Sequence, residues 1–175
     1  AEYIPEFGQN EKEQITVEDL LVHRGGLIAD NALKDYEDGP EKSWERLFAL
    51  STKSPGKRFV YSDVGFLTLG ALVERVSGKN VAEFAAANIF APLGMTETAY
   101  FVADAAKQPR VAEPMPADRF ITPVAGIRDP MTPRRWQSGG AGLVGTIGDY
   151  ARFAQMLLNG GTLDGRRYLK PETIA

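Results

Sequence analysis

Along most of this 175-residue chain, apolar positions recur at helical rather than alternating spacing. Thr16-Val17-Glu18-Asp19 ahead of Leu20 and Leu21 predicts a capped helix start, with the threonine oxygen accepting from the first turn and carboxylates at the positive helix end. Gly25-Gly26 is expected to stop that helix. Residues 27–38 read as loop. Gly39-Pro40 opens a second helix through Trp44, Leu47 and Phe48. Ser62 caps a longer helix whose expected apolar stripe is Phe66, Leu69, Leu72, Val73 and Val76, ended by Ser77-Gly78. Asn80-Val81-Ala82-Glu83 caps another, which runs to the turn at Pro92-Leu93-Gly94. Thr98 to Val102 is strand-like. Thr146-Ile147-Gly148-Asp149 caps a last long helix, with Tyr150, Phe153, Met156 and Leu157 on one face and Asn159-Gly160-Gly161 at its end. Leu163-Asp164-Gly165-Arg166 predicts a tight turn.

Residues 107–135 break the pattern. They hold Pro109, Pro114, Pro116, Pro123, Pro130 and Pro133, show no period, and exceed the ordinary loop length of about 12–15 residues. Helices dominate and nothing alternates strand with helix. The expected class is therefore α+β, the mostly helical portion of a fold whose main sheet lies largely outside this chain. The chain opens without a methionine and closes at Pro171-Glu172-Thr173-Ile174-Ala175, the first turn of a helix too short to bury a face. The expectation is one partial domain over residues 1–175, truncated at both ends.

Composition excludes more than it selects. Hydrophobic residues at 43% can form a core, and a net charge of −3 gives no reason to expect nucleic acid as a partner. No apolar run reaches the roughly 18 residues of a membrane span. The chain has no cysteine and one histidine, which removes thiol chemistry and disulfides and leaves too few ligands for zinc. No cofactor or metal is expected.

Two candidate motifs stand close together in SPGKRFVYSDVGF. Ser54-Pro55-Gly56-Lys57 spells S-x-x-K, a nucleophile with its lysine partner, which needs both side chains on one helical turn. Proline at the second position and glycine at the third instead read as a β-turn. Tyr61-Ser62-Asp63 is the quieter candidate. Ser62 explains itself as a cap, Asp63 as a first-turn carboxylate and Tyr61 as a half-buried aromatic. A tyrosine just before a helix can also project its phenol into a cleft and, beside a lysine cation, act as a general base, with Asp63 holding that lysine. His23 reads as a helix-terminal histidine that bonds a carbonyl or packs beneath a site. Arg134-Arg135-Trp136 reads as a solvated pair beside a packed indole.

Context separates these readings. The run from Pro55 to Tyr100 resembles the central segment of the serine β-lactamase-like family, which holds class C β-lactamases, D-alanyl-D-alanine carboxypeptidases and family VIII esterases. That family carries P-G-x-x-F-x-Y-S-N, L-G-x-x-[IV]-E-x-[VI]-[ST]-G and P-L-G-M, matched here from Pro55 to Asp63, from Leu69 to Gly78 and from Pro92 to Met95. Ile15 to Leu27 resembles its I-T-[IV]-x-x-L-L-x-H-x-S-G-L, and Ser138-Gly139-Gly140-Ala141-Gly142-Leu143 its S-G-G-G-G-L. The resemblance implies a catalytic role for Tyr61 and Asp63, and a backbone loop near the substrate at Gly139 and Gly140. Asp63 departs from the family's asparagine: it keeps an acceptor but loses the amide donors and adds charge.

The resemblance places the nucleophilic serine and its lysine upstream of Ile15 and a third motif beyond the last long helix. The residues before Ile15 contain no S-x-x-K. The expected function is therefore part of a serine hydrolase that cleaves an ester, a β-lactam or a D-Ala peptide through an acyl-enzyme, inactive as this piece. The alternative is a non-catalytic, penicillin-binding-like or pseudoenzyme domain that binds a ligand or partner. The family resemblance implies a periplasmic or secreted location, and a cytoplasmic one is also compatible.

Overall fold

The computed structural model describes residues 1–30, 38–53, 55–112, 131–134 and 136–174. Most of the proline-rich stretch at 107–135, Arg135, Ser54 and most of the 27–38 loop lie outside the described residues. The described elements run in this order: a 3-10 turn Pro5–Phe7, α1 (Val17–Leu21), α2 (Pro40–Ala49), α3 (Asp63–Ser77), α4 (Val81–Ala85), a π-helical turn Ala86–Phe90, α5 (Ala91–Leu93), a 3-10 turn Gln108–Arg110, α6 (Ile147–Leu158), β1 (Thr162–Leu163), β2 (Arg166–Arg167) and α7 (Pro171–Ile174). The described residues are thus α-rich, with a two-stranded antiparallel sheet pairing Thr162 with Arg167 and Leu163 with Arg166. Asp164 and Gly165 both take positive φ, 49° and 76°, as a two-residue primed turn demands.

Side-chain caps stand where the sequence placed them. Thr16, Ser62, Asn80 and Thr146 each accept from the backbone N–H three residues on. At Thr16 and Asn80 the third residue, Asp19 or Glu83, returns the bond to the cap nitrogen and completes a capping box. The predicted helix from Asn80 to Gly94 is one continuous helical run, but its middle widens into the π-turn. Ala91 N–H reaches back to the Ala86 carbonyl, which accommodates Pro92, a residue with no N–H to continue the ladder.

Four expectations need correction. The first helix does not stop at Gly25-Gly26: it ends at Leu21, and His23 takes the left-handed conformation with φ 56°. The predicted strand at 98–102 is a single antiparallel bridge between Ala99 and Val144, closed by hydrogen bonds of 2.9 and 2.8 Å. The expected stripe on α3 is also displaced. Val64, Leu67 and Ala71 form its most deeply buried face, whereas Val76 is 65% exposed. The helix is covered on more than one side, so its buried face is not simply its most apolar one. Tyr150 on α6 is likewise exposed, and Met156 carries that helix's burial.

Two cores result. One gathers Phe7, Leu20, Leu47, Phe48, Val64, Leu67 and Trp136 around α3. There Trp44 stacks on Phe48 with centroids 5.8 Å apart and meets Trp136 at 4.8 Å. The other packs Phe90, Leu93 and Met95 against Met156 of α6 and Leu163 of β1. Lys12 is fully buried beside the first core, with its ammonium donating to the Leu50 carbonyl at the end of α2 and lying 5.3 Å from the centre of the Phe7 ring. Among the described residues no helix is long and apolar enough to cross a membrane.

Candidate functional site

The end of α1 sets the geometry of the Tyr61 segment. Arg24 N–H bonds the Asp19 carbonyl at 2.7 Å and His23 N–H bonds the Leu20 carbonyl at 3.2 Å, the paired bonds of a Schellman stop with His23 at its left-handed position. This turn aims the imidazole at the start of α3. The His23 ring lies 4.6 Å from the Tyr61 ring at a 31° tilt, 5.1 Å from Phe66 at 34°, and meets Phe59 edge-on at 5.6 Å.

The same residues hold the backbone. Val60 N–H donates to the His23 carbonyl at 2.8 Å, and Ser62 N–H donates to His23 Nδ1 at 3.1 Å. An acceptor Nδ1 puts the proton of the neutral ring on Nε2. Ser62 Oγ donates to the Ile28 carbonyl at 2.6 Å while accepting from Gly65 N–H at 3.2 Å, and Asp63 N–H donates to the Ala29 carbonyl at 2.8 Å. Four consecutive residues, 60–63, are each tied to the segment that follows α1.

Tyr61 and Asp63 therefore start from a fixed backbone. The Tyr61 side chain is 60% exposed, and its hydroxyl has no partner among the described residues. Asp63 is half-buried in the first turn of α3, and among the described residues no ion pair or side-chain hydrogen bond engages its carboxylate. Both groups are thus available to something else, and no described lysine meets either of them.

The glycine loop is built against the same helix. Ser138, 7% exposed, accepts from Gly140 N–H at 3.0 Å and Ala141 N–H at 3.2 Å, and its carbonyl accepts from the Tyr100 hydroxyl at 3.0 Å. Burial pushes the Tyr100 phenol above the ordinary tyrosine range. A Cβ on Gly140 would lie 3.0 Å from Phe66 Cβ, and one on Gly139 would press on the Phe66 carbonyl and the Gly70 backbone. Phe66 is therefore shared: Gly140 packs on its Cβ, and His23, the support of Tyr61, packs on its ring. Tyr61 and Asp63 thus stand at the start of α3, and the glycine loop packs along it at Phe66 and Gly70, one to two turns further on.

Other candidates fall elsewhere. Gly56 takes φ 77° and its N–H bonds the Arg24 carbonyl at 2.7 Å, so Pro55-Gly56-Lys57 forms a turn and not the helical turn that a serine–lysine pair requires. Trp136 is core. A cavity of about 390 Å³, walled by Phe90, Tyr100, Trp136 and Ala141, opens beside the glycine loop, and Tyr61 does not line it.

His23, expected to bond a carbonyl or to pack beneath a site, packs its ring beside Tyr61, and its Nδ1 accepts from the Ser62 N–H instead of bonding a carbonyl. Sequence reading missed Gly70, which receives the loop, and the signal was a glycine inside a strongly helical pattern.

The family model for Beta-lactamase matches residues 1–174. Protein Rv1367c of Mycobacterium tuberculosis is 33% identical over 93% of this chain and 43% of its own length. A family VIII carboxylesterase of known structure is similar at TM-score 0.78, with 25% identity over 99% of this chain and 51% of that one. A penicillin-binding protein homologue from Caulobacter crescentus is similar at TM-score 0.74, with 25% identity over 99% of this chain and 51% of that one. The chain spans about half the length of the relatives it matches. With the order of its motifs and the fold both matched over nearly every residue, this chain belongs to the Beta-lactamase family.

Proposed function

We propose that this chain is the Tyr61-bearing part of a serine hydrolase that acts through an acyl-enzyme on an ester, a β-lactam or a D-Ala peptide. The observation that carries the reading is the placement of Tyr61. Its backbone is pinned on both sides, its ring rests on His23, and among the described residues its hydroxyl has no partner at the exposed start of α3. A phenol held this way is set to move a proton between a nucleophile and a leaving group. The esterase and the penicillin-binding homologue among the similar structures support this reaction class.

In this reading the nucleophilic serine and its lysine belong to the full-length protein, outside this segment. Asp63 faces the lysine, where its charge would raise that ammonium's pKa and favour the cationic form. The charge and the lost amide donors disfavour binding of a substrate amide through this position, so the reading leans to esters over amide substrates. Alone, the 175-residue chain is expected to be inactive, because losing the nucleophile of a concerted unit removes nearly all turnover.

The full-length protein is to be treated with a fluorophosphonate and with a fluorescent penicillin. Covalent labelling supports the hydrolase. A folded protein that takes neither label favours the second reading, a non-catalytic binding domain, for which the departure at Asp63 speaks. Tyr61→Phe should lower turnover of the full-length enzyme at least about a hundredfold.

A further inference from the structure

We propose that His23 is the positioning residue for the Tyr61 phenol, which it grips through its carbonyl, its Nδ1 and its ring. The inference rests on the reading of Tyr61 as the proton-transferring group.

The three grips act on consecutive residues. The His23 carbonyl takes Val60 N–H at 2.8 Å and Nδ1 takes Ser62 N–H at 3.1 Å, so both neighbours of Tyr61 hang on one residue. Between them the Tyr61 ring lies on the imidazole at 4.6 Å. Tyr61 is otherwise 60% exposed, with no partner for its hydroxyl among the described residues. An exposed aromatic of that kind samples several side-chain rotamers unless a neighbour selects one. The described ring that touches Tyr61 is His23, and His23 is itself wedged against Phe66 at 5.1 Å.

The helix stop does not account for a histidine. A Schellman turn asks for glycine or asparagine at the left-handed position, where His23 sits at φ 56°. Either would end α1 with less backbone strain. What neither supplies is a flat ring between Tyr61 and Phe66 with a nitrogen acceptor on its edge.

Two variants separate positioning from folding. His23→Asn keeps the left-handed turn and an oxygen acceptor but deletes the ring. His23→Phe keeps a ring and deletes the acceptor. In the full-length protein with ring-labelled tyrosine, the Tyr61 signal is assigned by its disappearance in Tyr61→Phe. It is expected upfield in the parent, still upfield in His23→Phe, and moved to the free-tyrosine position in His23→Asn with the folded fraction unchanged. A Tyr61 signal that stays put in His23→Asn overturns the proposal.

Kinetics with p-nitrophenyl acetate give the second readout. His23→Asn should cut kcat about tenfold or more with KM within about threefold, and His23→Phe should recover part of the loss. Equal losses in both variants that follow the unfolded fraction overturn it. If the parent neither labels nor turns over, the hydrolase reading fails, while the Tyr61 signal still decides whether His23 positions the phenol. If His23→Asn does not fold, the His23→Phe signal decides: free-tyrosine shifts there overturn the proposal.

Discussion

Gly139 lies so close to Gly70 that a Cβ on Gly139 would stand 2.8 Å from the Gly70 nitrogen and 2.9 Å from its Cα. The glycine loop and α3 thus meet backbone to backbone. This contact is independent of any substrate, and it fixes where Gly140 sits over Phe66.

Gly139→Ala should therefore destabilise the fold by about 1–3 kcal/mol, read as a lower urea midpoint, because backbone atoms and not flexible side-chain ends must move. Gly70→Ala should cost less. Its Cβ would meet Gly139 at 3.0–3.1 Å, but alanine inside a helix returns about 1 kcal/mol of propensity. A neutral Gly139→Ala would mean that the loop and the helix part easily.

Ser62→Ala should cost about 1–2 kcal/mol. It removes the oxygen that caps Gly65 N–H and leaves the Ile28 carbonyl without its donor, at a position only 4% exposed. Ser62→Thr should restore most of the loss. An unchanged thermal midpoint in the alanine variant would show that backbone contacts alone hold the helix start.

Burial holds the Lys12 ammonium below the ordinary lysine range, with the Glu13 carboxylate opposing. Between that lowered value and about 10.4, the unfolded chain binds more protons than the folded one. Stability should therefore rise with pH through this window, up to about pH 10, where the raised Tyr100 begins to act in the opposite sense. Lys12→Met keeps the aliphatic stem and should flatten that rise. Urea midpoints from pH 7 to 9.5 with identical slopes in both proteins would sink the prediction.

Asp19 shifts in the same direction for a different reason. The backbone N–H of Thr16, and then its hydroxyl, hold the carboxyl below its usual value. Its contribution is complete above about pH 4 and is lost as pH falls through the lowered value. Asp19→Asn should be less stable than the parent at pH 7, and the gap should close on acidification. A gap that persists at pH 2 would show that charge has no part in the capping box.

What the chain determines by itself is local. The caps at Thr16, Ser62, Asn80 and Thr146 and the turn at Asp164-Gly165 each depend on a few neighbouring residues, so composition and spacing suffice to place them. The order of the motifs is legible for the same reason, and with it the family and the candidacy of Tyr61. Only the tertiary structure decides which face of α3 is buried, because loop 138–142 covers one side of the helix while α1 and the first core cover others. It also decides what His23 does. The histidine and Ser62 lie 39 positions apart, and no local pattern encodes that a left-handed helix stop aims an imidazole at a distant cap. Caps and turns depend on short-range geometry; faces and supports depend on which distant segments the collapsed chain brings against them.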